Sequence, residues 1–147
     1  MLKGIPAIIT PELLKVLDEM GHGDVLAIGD SNFPATSIAK SKNHINIRMD
    51  GHNIIEVLDS ILSLYPIDTF VDKPVEVMQE VEKDKGKGKK IHDDFVKTIE
   101  KHDKRGAALV EYVERFSFYE KAKDAYAVIS TTETEPYACI LIKKGTV

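Results

Sequence analysis

Apolar residues along the chain follow two spacings, one typical of helices and one typical of strands. The first helix is expected after Thr10, whose hydroxyl can cap a helix that has Pro11 at its first position. The apolar faces of the three longer predicted helices are Leu13, Leu14, Leu17 and Met20; Ile54, Val57, Leu58, Ile61 and Leu62; and Ile91, Phe95 and Ile99. A shorter helix is expected from Ser117 to about Ala125, because Ser117 and Glu120 have the spacing of a capping box.

Short apolar runs, some of them alternating with polar residues, separate these helices and predict strands. The six predicted strands are residues 25–28, 45–49, 75–78, 108–113, 126–130 and 138–142. A polar turn through Pro136 joins the last two strands. Residues 29–43 have the small polar side chains of a loop, and residues 80–90 have the charge density and glycines of a solvated, mobile loop.

The alternation of helices and strands predicts an α/β protein. We expect a single domain over residues 1–147, built as three α/β/α layers around a mixed, mostly parallel sheet of about six strands. A chain of 147 residues fits one domain of ordinary size and is long enough to bury a hydrophobic core.

Composition and charge narrow the class of protein and the class of partner. The chain is 43% hydrophobic and 30% charged, as is typical of soluble globular proteins, and its net charge of −4 argues against a nucleic-acid partner. Its single cysteine, Cys139, cannot form an intramolecular disulfide and fits a reducing compartment. No apolar run approaches the ~20 residues that span a bilayer, and the first residues lack the apolar stretch of a signal peptide. We therefore expect a cytoplasmic protein that binds neither nucleic acid nor membrane.

Reactive side chains lie at the ends of several predicted strands, where α/β sheets commonly hold their sites. His22 stands between Gly21 and Gly23, just before the first strand, and glycine lets other groups approach the backbone closely. Asp24 follows this turn, and Asp30 comes directly after the first strand. His22 and the two carboxylates are therefore candidates for chemistry.

Two further groups lie at strand ends, Arg115 with Tyr119 and Tyr137 beside Cys139. Each residue taken alone also has a structural explanation. Arg115 could form a surface ion pair, Tyr119 could pack against the core, and Cys139 could be a buried strand thiol. His22 could be a residue that stabilises the C-terminal end of the first helix.

The sequence lacks the signatures of several common chemistries. His22, Asp24, Asp30, His44 and His52 do not have the spacing of a metal site, so no metal is expected. The chain has no Gly-x-Ser-x-Gly elbow, no Walker motif and no dinucleotide-binding glycine pattern. The enzymatic reaction that remains is proton transfer on a small, neutral, polar substrate. Histidine suits this reaction near neutral pH because its unperturbed pKa is about 6.5.

Seven motifs, taken in this order, resemble the family of L-fucose mutarotases and D-ribose pyranases. They are residues 1–5 (MLKGI), 11–14 (PELL), 19–24 (EMGHGD), 30–35 (DSNFPA), 47–51 (IRMDG), 115–120 (RFSFYE) and 137–145 (YACILIKKG). The match runs nearly end to end. The Gly-His-Gly-Asp, Phe-Pro-Ala and Arg-Phe-x-Phe-Tyr-Glu segments are similar to the fucose branch, whereas the ribose branch usually has Gly-His-Thr-Asp and lacks this arginine.

The resemblance implies an isomerase of carbohydrate metabolism, an L-fucose mutarotase that interconverts the α and β anomers by opening and reclosing the pyranose ring. It implies His22 as the catalytic acid and base, with no cofactor and no metal. The sugar contacts that it implies are Asp30, Arg115, Tyr119, Tyr137 and Cys139. It further implies a homo-oligomer, a decameric ring with sites near subunit boundaries, in which Tyr119 or another residue acts across an interface.

One departure from the family pattern concerns position 139, which is commonly asparagine in the family and is cysteine here. A thiol is a poor substitute for an amide that both donates and accepts hydrogen bonds, so a side-chain contact to the sugar there is open to question. Two alternatives therefore stay open. One is a D-ribose pyranase, against which Arg115 and Phe116 argue, and the other is a non-catalytic protein that binds a fucose-like sugar.

Overall fold

A computed structural model describes residues 2–147 as five α-helices and six β-strands. The helices are α1 (Pro11–Glu19), α2 (Ala35–Ser41), α3 (Ile54–Leu62), α4 (Lys89–His102) and α5 (Arg115–Ala122). The strands are β1 (Val25–Gly29), β2 (Ile45–Met49), β3 (Val75–Met78), β4 (Val110–Val113), β5 (Ala127–Thr131) and β6 (Ile140–Lys143). Within residues 2–147, no helix combines the length and the hydropathy that crossing a membrane requires.

The six strands form one sheet in the order β2-β5-β1-β6-β3-β4. Neighbouring strands are parallel in the β2–β5, β5–β1 and β3–β4 pairs, and β6 is antiparallel to both β1 and β3. Five of the six strands therefore share one direction, which confirms the predicted mixed, mostly parallel sheet.

Helices cover both faces of the sheet, which confirms the three layers. Successive residues of β1 point to opposite faces, so Leu26 and Ile28 join one apolar cluster while Ala27 joins the other. The first cluster holds the buried faces of α1, α3 and α4, and the second holds those of α2 and α5. The three longer helices bury the apolar faces that their spacing predicts, except that in α1 Leu14 is only partly buried and Val16 is buried as well.

The two closing strands do not pair with each other, although a polar turn joins them. β1 lies between β5 and β6, and its residue Leu26 is opposite Ala127 on one side and Ile142 on the other. The physical reason is burial, because Leu26 is fully buried and a strand without solvent-exposed side chains is most stable at the centre of a sheet.

The prediction of a loop over residues 29–43 is wrong, because α2 lies within it. Ala35, Ile38 and Ala39 are buried at the i, i+3 and i+4 positions of this helix. Helix α2 is only seven residues long, and two of these three side chains are alanines. So short and weakly apolar a face is difficult to distinguish from a polar loop by spacing alone.

The N-cap of helix α5 is Glu114, three residues before the Ser117 that the capping box predicts. The carboxylate of Glu114 accepts hydrogen bonds from the amides of Phe116 and Ser117, at 3.0 Å each, and so caps the helix. Ser117 therefore lies in the first turn. The start of β4 also differs from the prediction of a strand over residues 108–113. Gly106–Leu109 forms a 3-10 turn, so the strand begins at Val110.

The charged segment 80–90 was expected to be a solvated loop, and it is more structured than that. It contains a 3-10 turn, Glu82–Asp84, and the first two residues of α4. The carboxylate of Glu80 accepts hydrogen bonds from the amides of Gly86 and Gly88, which closes the loop on itself. This segment lies at the carboxyl end of β3, next to candidate site residues.

Candidate active site

Strand direction divides the candidate residues between the two ends of the sheet. We call the end where β1 to β5 finish the carboxyl edge. Asp30 follows β1 and Arg115 follows β4, while Tyr137 and Cys139 precede the antiparallel strand β6, so all four lie at this edge. Tyr119 joins them from the next turn of α5.

His22 lies at the opposite end of the sheet, which we call the amino edge, because it precedes β1. At about 3.3 Å per residue, the five residues of β1 put about 17 Å between His22 and Asp30. One monosaccharide cannot contact both side chains of the same copy of the chain. The structure therefore brings five of the six candidates to one end and leaves the proposed acid/base at the other.

His22 is held in a defined orientation at the amino edge. Its turn depends on Gly23, which has φ of +88°, and on Asp24, whose carboxylate accepts a hydrogen bond of 2.7 Å from the Gly21 amide. The imidazole Nε2 lies 2.9 Å from Oδ1 of Asp68, and the ring packs 4.8 Å from that of Phe70. The His22 side chain is 42% exposed and that of Asp68 only 2%, so the ring can reach solvent while its partner cannot.

Asp68 is a functional candidate that the sequence analysis missed. Burial raises the pKa of its carboxyl, but hydrogen bonds from the Phe70 amide and from His22 outweigh burial and leave the pKa below its ordinary value. Asp68 is thus ionised, and its Oδ1 accepts a hydrogen bond from the Nε2–H of His22, which leaves Nδ1 as the imidazole nitrogen that faces away from the carboxylate. A lone acid in a loop, 46 residues from its partner, carries no motif that could have identified it.

Asp30 is buried at the carboxyl edge and is joined to Cys139. Its Oδ1 accepts a 2.9 Å hydrogen bond from the Asn32 amide, and its Oδ2 lies 3.6 Å from the Cys139 thiol. Burial raises the pKa of Asp30, and the Asn32 amide and the thiol only partly oppose this. Burial and the nearby Asp30 charge raise the pKa of Cys139, so the thiol is protonated and donates to Asp30.

Phe33 connects Asp30 to the aromatic residues of α5. Asp30 and Phe33 both line a cavity of about 250 Å³ at the carboxyl ends of β1, β2 and β5. The Phe33 ring lies 5.8 Å from that of Tyr119, whose hydroxyl accepts a 3.1 Å hydrogen bond from Nε of Arg115. The Arg115 guanidinium also lies over the ring of Phe116, 5.5 Å from its centroid. Arg115 is thus held as an exposed cation among aromatic rings, an arrangement suited to binding hydroxyl groups.

Tyr137 takes an unusual backbone conformation and is held by the charged segment before α4. Its φ is +62°, and its hydroxyl donates a 2.7 Å hydrogen bond to Asp84. Its carbonyl oxygen lies 3.3 Å from Nε2 of His92 on α4. His92 and Glu80 line a neighbouring cleft of about 530 Å³. The sequence analysis missed Glu80, Asp84 and His92, because their partners are distant along the chain or lie in a segment expected to be mobile.

Among residues 2–147, no group of three or more His, Cys, Asp and Glu side chains is arranged to hold a metal ion.

Comparisons with known proteins connect this arrangement to a family. Residues 3–147 match the sequence model of the RbsD / FucU transport protein family. The fucose mutarotase of Danio rerio is 46% identical over 149 residues, which cover 100% of this chain and 95% of the relative.

Solved structures of similar proteins share the fold over almost the full chain. FucU from Bifidobacterium longum has a TM-score of 0.93 at 52% identity, with 99% of each chain covered. The fucose mutarotase of Streptococcus pneumoniae, solved in complex with L-fucose, has a TM-score of 0.89 at 44% identity, again with 99% of each chain covered. Bacillus subtilis RbsD complexed with D-ribose shares the fold alone, with a TM-score of 0.74 at 20% identity over 100% of this chain and 99% of that one. These matches confirm the resemblance that the seven motifs indicate, and the chain belongs to the RbsD / FucU transport protein family.

Proposed function

We propose that this protein is an L-fucose mutarotase, an isomerase that interconverts the α and β anomers of L-fucose. The observation that carries the proposal is His22, a half-exposed imidazole that the buried, ionised carboxylate of Asp68 holds in one orientation. The similarity to fucose mutarotases over the full chain supports the choice of sugar. D-Ribose is the weaker candidate, because the ribose-bound relative is much more distant in sequence.

The reaction moves one proton off the anomeric hydroxyl and one proton onto the ring oxygen. As Nδ1 of His22 takes the proton from the anomeric hydroxyl, the bond between the anomeric carbon and the ring oxygen breaks and an aldehyde forms. The ring oxygen then receives a proton from the imidazolium. Rotation of the free aldehyde and the reverse steps close the ring on its other face. A group with a pKa near neutrality can act as both base and acid, and the atoms and charges balance without a cofactor.

The residues of the carboxyl edge bind the sugar hydroxyls. Asp30 accepts hydrogen bonds, Arg115 donates them, and Tyr119 and Tyr137 supply phenol groups and ring surface. Cys139 acts by holding Asp30, because only 1% of the residue is exposed, its thiol donates to Asp30, and its carbonyl accepts from the Met78 amide.

His22 acts on a sugar held by a neighbouring copy of the chain. Because His22 and Asp30 lie at opposite ends of β1, a complete site needs the amino edge of one copy against the carboxyl edge of the next. Large apolar side chains are exposed near both groups, Phe70 (73% exposed) beside His22 and Phe116 (67% exposed) beside Arg115. Contact between different surfaces of identical copies can close into a ring, and we propose the decamer that the resemblance implies. We also propose a cytoplasmic location, which fits the free thiol of Cys139.

The test is exchange NMR on L-fucose and on D-ribose, each with and without the protein. We expect the protein to accelerate exchange between the α and β anomers of L-fucose. Acceleration of ribose pyranose–furanose exchange alone would instead assign it to the ribose branch. Line broadening of the sugar signals with no acceleration would identify a sugar-binding protein without catalytic activity.

A further inference from the structure

We propose that Asp84 and His92 are positioning residues, which hold Tyr137 in the geometry that binds the sugar. They belong to a segment, residues 80–92, that we call the clamp. The inference rests on the proposed function, in which Tyr137 contacts the sugar, and it adds residues outside the matched motifs to the same site.

Tyr137 needs an external restraint because its backbone is in an unfavourable region. A φ of +62° is rare for any residue with a side chain, because the Cβ atom approaches the backbone too closely. Such conformations persist where surrounding contacts enforce them, and they are concentrated at binding sites. Tyr137 also stands two residues before Cys139, so its conformation sets the direction in which the chain enters the site.

Three contacts supply the restraint, and all of them come from the clamp. The Tyr137 hydroxyl donates to Oδ2 of Asp84 at 2.7 Å, and Nε2 of His92 is 3.3 Å from the Tyr137 carbonyl oxygen. The third contact is close packing against Gly88, where an added Cβ would lie 3.1 Å from Cβ of Tyr137 and 3.2 Å from Cε1 of His92. The phenol, the carbonyl and the Cβ of one residue are thus fixed by one segment.

The protonation states of both clamp residues suit these bonds. Burial lowers the pKa of His92, so its imidazole is neutral and can place its single N–H on Nε2, facing the carbonyl. The Lys87 ammonium and the Tyr137 hydroxyl lower the pKa of Asp84, so its carboxylate is ionised and accepts from the phenol. Hydrogen bonds to an ionised acceptor are stronger than neutral ones.

Glu80 keeps the clamp closed. Its carboxylate accepts from the Gly86 amide at 2.6 Å and also from the Gly88 amide. Gly88 is the N-cap of α4 and has no side chain to cap the helix, so Glu80 serves as the cap from eight residues upstream. The loop that carries Asp84 and the helix that carries His92 are therefore fixed relative to each other.

The polar contacts of the clamp lie outside the two hydrophobic clusters of the sheet, although its residue Ile91 packs into the first cluster. Neither Asp84 nor His92 belongs to either cluster, and the Asp84 side chain is 22% exposed. Removing either polar contact should disturb Tyr137 more than it disturbs the fold. This separation makes the proposal testable through sugar binding.

The experiment compares variants that remove one contact with matched controls. Asp84→Ala removes the acceptor of the phenol. His92→Phe keeps an aromatic ring against Tyr112, 5.2 Å away, but removes the N–H, whereas His92→Gln restores a donor at a similar reach. His102→Phe and Asp94→Ala are the controls, since both residues lie on α4 and make ion pairs that do not involve Tyr137.

We expect Asp84→Ala and His92→Phe each to raise the KM for L-fucose about tenfold, which is the effect of losing one hydrogen bond to a charged or buried group. The value of kcat should change less than about threefold, because neither residue takes part in the proton transfer. His92→Gln and both controls should stay near the wild-type KM. An unchanged KM in both Asp84→Ala and His92→Phe would overturn the proposal. So would a rise in KM that the controls reproduce.

A second measurement keeps this test separate from the proposed function. If the wild-type protein does not accelerate anomer exchange, the proposed function fails. The proposal that the clamp holds Tyr137 is then tested by amide hydrogen exchange over residues 137–139. Faster exchange there in Asp84→Ala and His92→Phe, but not in the controls, supports the clamp. Unchanged exchange rates in those variants contradict it.

Discussion

Nε2 of His22 lies 2.9 Å from Oδ1 of Asp68, and the nearly inaccessible carboxylate determines which imidazole nitrogen is free. A second His–Asp pair, in which the carboxylate is exposed, lies elsewhere on the surface, where Nε2 of His102 is 2.8 Å from Oδ1 of Asp59. The first pair is at the proposed catalytic position and the second is not. The protein therefore contains its own control for the effect of a His–Asp pair.

We expect His22→Ala to lower the rate of fucose anomer exchange by a factor of about 10² to 10⁴, the usual contribution of positioned proton transfer. Asp68→Asn should lower kcat by a smaller factor, because the amide keeps the size of the carboxylate but loses its charge. The rates would be measured by exchange NMR, with circular dichroism to check the fold. His102→Ala and Asp59→Asn should keep the wild-type rate, and a wild-type rate in His22→Ala would exclude it as the acid/base.

Asp30→Asn should weaken sugar binding without lowering stability at neutral pH. Burial raises the pKa of Asp30 above its value in the unfolded chain, so the protonated form favours the fold. That favourable effect is complete below the unfolded pKa and is lost as the pH rises through the folded pKa. The asparagine variant should therefore gain stability relative to wild type as the pH rises from acid to neutral. Urea unfolding between pH 3 and pH 7, together with fucose titration, measures both effects; an unchanged fucose Kd would remove Asp30 from the site.

Cys139 should be unreactive in the folded protein. Only 1% of the residue is exposed, and burial together with the Asp30 charge raises its pKa, so little thiolate is present to attack an electrophile. A colorimetric thiol reagent should react slowly with native protein and stoichiometrically in guanidinium. Rapid reaction of the native protein would mean that the thiol reaches solvent and is available to the sugar.

Gly29→Ala should destabilise the protein and reduce its activity together. A Cβ at this position would lie 2.2 Å from Cδ1 of Phe33, so the ring that lines the Asp30 cavity would have to move. Overpacking of this kind costs about 1–3 kcal/mol, which thermal unfolding can detect. Gly21→Ala is the matched stability control, since the atom nearest its Cβ would be 3.7 Å away. Equal melting temperatures for the two variants would contradict this account of Gly29.

Spacing predicted much of the fold because the long apolar faces are continuous. Ile54, Val57 and Leu58 mark α3 without ambiguity, whereas the seven-residue α2 has a face too short to recognise. Strand order could not be predicted, because the continuous apolar run of β1 indicates a buried, central position but not which strands lie beside it. Ser117 has the spacing of an N-cap, but Glu114 competes for the same amides and its carboxylate caps the helix.

The candidate site was predictable only where residues are part of a motif. His22, Asp30 and Arg115 stand beside strands in segments that resemble a known family. Asp68 and His92 act through partners 46 and 45 residues away, and those separations are set by the fold and not by any local pattern. For the same reason, the sequence did not indicate that His22 and Asp30 lie at opposite ends of the sheet.

The most direct test of the shared site is to mix two inactive variants in one assembly. His22→Ala and Asp30→Ala are each expected to lose most activity when expressed alone. Co-expressed as mixed oligomers, they should regain activity, because about a quarter of randomly formed interfaces join an intact His22 of one copy to an intact Asp30 of the next. Recovery near that level is the result predicted for a site built from two copies. No recovery, with mixed oligomers verified by mass spectrometry, would contradict it.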